Sequence, residues 1–166
     1  MKKVGVIAAI LGLGVIATGT ILYYQGGKRG EDEIHLLPEG YTGSVFIIFN
    51  QPDGQKKEYE DGKRVYKIPP TGILKTQFSP NEGLARVNYY YINGERKELE
   101  YKFGKEIEQI KDSTKVYAMA ASTGESLSNI DRKPYYSKSY IVSTAKQADS
   151  IHNHRRSIHV PDLLGK

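Results

Sequence analysis

The chain of 166 residues contains no cysteine and no tryptophan. Without cysteine there is no disulfide framework, no thiol nucleophile, no cysteine-based metal or redox site and no residue to carry lipid after a signal sequence. A strong excess of one charge is also missing. The formal net charge of +5 drops to +3 when Lys2 and Lys3 are set aside, and the remaining charges alternate in sign. That balance argues against nucleic acid as a partner and suits solubility beside an anionic membrane surface or wall polymer. Local catalytic signatures are absent too. No Gly-x-Ser-x-Gly elbow occurs, and Gly26-Gly27-Lys28 lacks the spacing of a phosphate loop. The sequence therefore predicts no catalytic residue and no cofactor.

What is present first is an apolar run, Val4 to Tyr24, behind Lys2 and Lys3. Its residues, at about 1.5 Å rise each, span about 31 Å, close to the hydrocarbon thickness of a bilayer. A helix satisfies its own backbone hydrogen bonds in lipid, so Gly5, Gly12, Gly14 and Gly19 are tolerable there. Tyr23 and Tyr24 fall at the far interface, and the lysines hold the short end in the cytoplasm. The run predicts a single-pass signal-anchor over residues 1–24 at the cell membrane, with the rest of the chain extracytoplasmic. The alternative is a cleaved signal peptide, with Val15 and Ala17 before the cut and a secreted domain after it.

Residues 25–33, QGGKRGEDE, read as a flexible tether whose mixed charges are solvated. From Ile34 onward, strand-like runs are separated by turn signals every eight to twelve residues, without a convincing amphipathic helix before the C-terminal segment. Ser44 to Asn50 is apolar on both parities, as a central strand covered on both faces would be. The fold expected is all-β: one antiparallel β-sandwich of about seven to eight strands over residues 34–145, behind the N-terminal transmembrane helix. Residues 146–166 are expected to form a short helix or tail, frayed from Val160. The Ser-, Thr- and Gly-containing stretch 121–139 reads as a functional loop or a disordered one.

Tyrosine is the abundant aromatic, with thirteen in the chain. Around Asn93-Gly94 the sequence RVNYYYINGERKELEYKF predicts a two-residue hairpin. That register pairs Ile92 with Glu95, Tyr91 with Arg96 and Tyr89 with Glu98. It points Tyr90, Ile92, Leu99, Tyr101 and Phe103 to the core. It leaves Tyr89, Tyr91, Arg96 and Glu98 outside as a candidate binding face for a sugar or protein, or as stabilising cross-strand pairs.

His152, His154 and His159 are the candidate metal ligands. Two residues apart, His152 and His154 would share a side of an extended chain but diverge on a helix, and Arg155 and Arg156 repel a cation.

Leu37-Pro38-Glu39-Gly40-Tyr41-Thr42-Gly43, the segment Glu60 to Pro69, Gly72-Ile73-Leu74-Lys75-Thr76 and Tyr89-Tyr90-Tyr91 together resemble a bacterial family of exported or membrane-anchored domains of unknown function. The likeness runs from about residue 36 to 145. The strand spacing is also similar to that of prealbumin-like β-sandwiches. The family resemblance implies an envelope location, assigns no activity and transfers no site residue. The reading that results is a non-enzymatic binding or structural β-domain at the cell surface, with an envelope protein or wall polymer as partner. The alternative is an envelope-acting hydrolase or metal-dependent enzyme assembled from distant residues.

Overall fold

A computed structural model of the chain describes residues 29–164. The transmembrane segment expected at residues 1–24 lies outside them. Among the described residues no helix is long and apolar enough to cross a membrane.

The chain divides into two compact units, and the described residues of the smaller are Arg29, Gly30 and 82–85. Of its described residues, Arg29 bridges to Leu84 in parallel and Gly30 N–H donates to the Leu84 carbonyl at 3.0 Å.

The larger unit, residues 31–81 and 86–166, holds two five-stranded sheets. Ten strands are present among the described residues: β1 Glu33–Pro38, β2 Gly43–Ile48, β3 Tyr59–Glu60, β4 Lys63–Lys67, β5 Ile73–Lys75, β6 Val87–Asn93, β7 Glu95–Leu99, β8 Tyr101–Lys102, β9 Val116–Leu127 and β10 Pro134–Thr144. One sheet runs β3-β4-β1-β6-β7 and the other β5-β2-β10-β9-β8. Both are mixed, correcting the antiparallel expectation. β1 lies parallel to β4 and β6, β2 parallel to β5, and β8 parallel to β9.

The two sheets face each other across one core. Leu37, Val45, Ile47, Phe49, Tyr66, Tyr89, Tyr91, Leu99, Tyr140 and Val142 meet there. β2 behaves as its sequence demands: Val45 and Ile47 enter this core, while Phe46 and Ile48 pack on the opposite face with Val160. The partner on that outer face is the C-terminal segment, helix α2 Ala148–Ser157 followed by a 3-10 turn Val160–Leu163. The expected frayed tail is thus seated at Val160, which is 7% exposed. A single-turn helix, α1 Lys105–Glu108, precedes β9, and its Ile107 and the following Ile110 pack near Tyr117 and Met119.

Two turns show why the strand faces fall as they do. Asp61 and Gly62 both take positive φ, 49° and 74°, and close β3–β4 as a two-residue turn between Glu60 and Lys63. At Asn93-Gly94 only Gly94 does, with φ 76°. The β6–β7 hairpin therefore closes one residue away from the two-residue register: Asn93 pairs with Glu95, Ile92 with Arg96 and Tyr89 with Leu99. Strand side chains alternate faces, so a shift of one residue exchanges them. On β6 the faces are exchanged and Tyr89 and Tyr91 turn inward, whereas Leu99 on β7 stays in the core as expected and Phe103 is left 63% exposed.

Residues 121–139 are neither loop nor disorder but the paired distal halves of β9 and β10 around a short turn. A bulge at Ala120 marks where the arm departs from the core. Its register jumps between Ser139 and Ile141, and Ala120 takes φ 54°. Arg155 of α2 donates from Nη1 to the Ala120 carbonyl at 2.6 Å, and the Tyr101 hydroxyl receives the Ala121 N–H at 3.3 Å. The two backbone groups released by the bulge are thereby satisfied.

Candidate functional site

The densest chemistry lies inside the sandwich. Glu33 and His35 alternate with Ile34 on β1, so both point to the interior and both are fully buried. Lys138 and Tyr140 occupy inward positions of β10 opposite them. Glu33 Oε2 accepts from Lys138 Nζ at 2.6 Å and from His35 Nε2 at 2.8 Å, while Oε1 accepts from Asn81 Nδ2 at 2.8 Å. His35 Nδ1 accepts the Tyr140 hydroxyl proton at 3.1 Å, which fixes the Nε2–H tautomer. Tyr66, Tyr89 and Tyr140 pack edge-on or tilted around the imidazole with centroids 5.0–5.4 Å away.

These contacts set the charges. Burial raises the Glu33 pKa, but the His35 hydrogen bond, the nearby charge and the Asn81 contact outweigh it and hold the carboxyl at about 2. His35 is pushed down by burial more than Glu33 raises it. A neutral His35 leaves Lys138 as the cation that balances Glu33. Burial also pushes the Tyr140 hydroxyl well up, so it stays a donor.

Sequence reasoning missed this cluster. Glu33 ends the charged, glycine-rich stretch 25–33 and Lys138 lies in the serine-rich stretch 121–139, so neither reads as buried. The available signal was His35, a polar residue flanked by Ile34 and Leu36.

The second feature is a concavity of about 220 Å³ on the outer face, between the β9–β10 arm and the end of α2. Alternation on the paired strands brings Ser122, Gly124 and Ser126 of β9 beside Ser139, Ser137 and Tyr135 of β10. Ser122 and Ser139 share a hydrogen bond of 3.3 Å. Ser137 is 7% exposed, lines the concavity and makes no hydroxyl hydrogen bond among the described residues. At the rim Arg156 is exposed and enters no hydrogen bond or ion pair, whereas its neighbour Arg155 is committed to Ala120. A side chain added at Gly124 would meet nothing within 4 Å.

The residues singled out from sequence fall elsewhere. Tyr89 and Tyr91 are 3% and 8% exposed, and the Tyr91 hydroxyl donates to the Tyr41 carbonyl at 2.7 Å. Arg96 and Glu98 stay outside, so the four share no face. Arg96 instead makes a bidentate pair with Glu60, both bonds 2.6 Å, and lies over the Tyr90 ring. The histidines do not converge. His152 and His154 diverge on α2, and burial together with Arg155 and Arg156 lowers the His152 pKa. His159 uses Nδ1 on Asp162 and Nε2 on the Leu127 carbonyl, each at 3.1 Å. Among the described residues no group of three or more histidines and carboxylates is placed to hold a metal.

Fold and site together define a cysteine-free β-sandwich of two mixed sheets, clamped by a buried ionic core and carrying a serine-lined arm. The chain belongs to a family of unknown function (DUF6843), whose pattern matches residues 29–151. Among solved structures it is similar to a candidate lipoprotein from Bacillus anthracis. The identity is 21%, over 70% of this chain and 71% of that one, with a TM-score of 0.51, a likeness of fold alone. No curated protein matches it.

Proposed function

We propose that this chain is a non-enzymatic binding module held on the outer face of the cytoplasmic membrane by Val4 to Tyr24. Its ligand surface is the β9–β10 arm with the serine-floored concavity. The observation that carries the reading is the concavity itself: the unpartnered Ser137 hydroxyl on its floor and the uncommitted Arg156 at its rim are groups ready for an external oxygen ligand. By contrast, Glu33 and His35 are closed from solvent and already satisfied by one another, Lys138, Asn81 and Tyr140. Such an arrangement favours a structural role over turnover of an external substrate. The envelope placement draws on the apolar run and on the lipoprotein name of the structural relative. Since the sequence has no cysteine for lipid, the apolar run provides attachment in this reading.

The test is crosslinking in native membranes with the full chain and with Gly124→Tyr, which fills the concavity from an open strand position. The partner captured by the parent chain should be lost from the variant while both remain membrane-bound. An unchanged set of partners would overturn the assignment of this surface.

A further inference from the structure

Glu33 holds an amine on one oxygen and a carboxamide on the other, beside the tyrosine-walled His35. Lys138 Nζ is 2.6 Å from Oε2, and Asn81 Nδ2 is 2.8 Å from Oε1. A third contact completes the set. The Glu31 N–H donates to Asn81 Oδ1 at 3.1 Å, and Asn81 Nδ2 also donates to the Glu31 carbonyl at 2.6 Å. The carboxamide is thus held in one orientation, with a backbone donor on its oxygen and Glu33 on its nitrogen.

We infer that Lys138 and Asn81 are the two ends of an intramolecular amide cross-link, formed within the folded domain with Glu33 as proton relay. Lys138 Nζ lies in direct hydrogen-bond contact with Glu33 Oε2, so one proton passed across 2.6 Å to the carboxylate frees the amine for the moment of attack. The free Nζ pair of electrons then attacks Asn81 Cγ, and the Nζ–Cγ bond forms. Charge developing on Oδ1 is met by the Glu31 N–H, the arrangement that stabilises tetrahedral intermediates elsewhere. The Cγ–Nδ2 bond breaks as Glu33 delivers a proton to Nδ2. Of the three ammonium protons one remains on the new amide. The other two leave with Nδ2, which departs as ammonium. No oxidant, reductant or outside reagent enters, and Glu33 ends as it began.

Position supports the assignment. Lys138 belongs to β10 in one sheet, Asn81 to the segment that follows β5, and Glu33 to β1 in the other sheet. In a chain without cysteine, an amide here would serve the stapling role that a disulfide serves in other exported domains. The Lys138 side chain is 13% exposed, enough for ammonia to escape along it and too little for bulk water to enter.

The test is the intact mass of the full chain purified in detergent, with peptide mapping. The parent chain should weigh less than its sequence by one ammonia and should yield a single branched peptide joining the Asn81 and Lys138 segments. Lys138→Arg keeps a cation on Glu33 and should fold, but should show the full sequence mass. Glu33→Gln should also show the full mass, because an amide side chain cannot relay the protons. A parent chain at full sequence mass after incubation in the folded state would overturn the inference. So would a missing ammonia that persists in Lys138→Arg, since that loss would come from asparagine cyclisation. Neither result bears on the serine-lined surface, which the capture experiment addresses independently.

Discussion

The Arg155 guanidinium donates to the carbonyl of Ala120 across 2.6 Å, tying the last turns of α2 to the single bulge of β9. The bulge sets where the β9–β10 arm leaves the core, so the contact positions the arm. Arg155→Ala should cost about 2 kcal/mol, the scale for a buried charged donor lost from a carbonyl that stays buried. It should also increase amide exchange in residues 121–127 before the core opens. Arg155→Lys should recover little of this, because Arg155 also reaches His152 Nδ1 from Nη2 at 3.2 Å and one ammonium cannot reproduce that fork. Denaturant unfolding and hydrogen exchange check both statements.

Ala120 itself occupies φ 54°, a region that costs an L-residue about 1–2 kcal/mol. Ala120→Gly should leave stability unchanged or raise it. Ala118→Gly, two residues away in fully buried strand, should lower it by about 1 kcal/mol or more. Equal losses at both positions would contradict the bulge geometry.

The observed hairpin register separates three consecutive tyrosines. Tyr89→Ala and Tyr91→Ala should each cost about 3–5 kcal/mol, as large aromatic deletions from a core do. Tyr90→Ala should cost less, chiefly its packing over Ile34, Leu36 and Val65 and about 1 kcal/mol of contact with Arg96. Thermal or urea unfolding of the three variants gives the ranking directly.

Acid should destabilise the domain in two windows. Glu33 is held at about 2 against 4.5 for an unperturbed carboxyl, so its contribution is complete above pH 4.5 and lost as pH falls toward 2. His35 is depressed below 6.5, so the unfolded chain takes up a proton first, and stability declines as pH falls from 6.5. Measured in the Lys138→Arg background, which retains the ion pair, the difference between His35 and His35→Gln chains should be level above about pH 7 and shrink below it. A difference that grows on acidification would reverse the assignment of a neutral His35.

Arg96 and Glu60 sit on β7 and β3, the two edges of one sheet, and meet over its outer face. Each side chain is 39% exposed, so a double-mutant cycle should give only a small coupling that diminishes with salt.

Much of the strand layout was legible because β2, β4 and the end of β10 carry their burial in their own composition. The hairpin faces were not, because Asn-Gly favours a two-residue turn and nothing local indicates that Asn93 keeps negative φ. The arm of residues 121–139 was hidden for a related reason. Serine and glycine carry little strand signal and dilute that of Thr123, Tyr135 and Tyr136, so the pairing here is imposed by neighbouring strands. Glu33 and Lys138 were illegible singly, since a lone charged residue reads as solvated. Only the opposition of β1 and β10 gives each its partner.

The parallel placement of β1 between β4 and β6 has a mechanical meaning. Under the anchoring proposed above, tension would enter β1 at its N-terminal end and pull along the strand. Hydrogen bonds on both flanks are then loaded together in shear, whereas an edge strand would peel one bond at a time. If a ligand is captured as proposed, the pull on β1 is shared by the hydrogen bonds to β4 and β6 together.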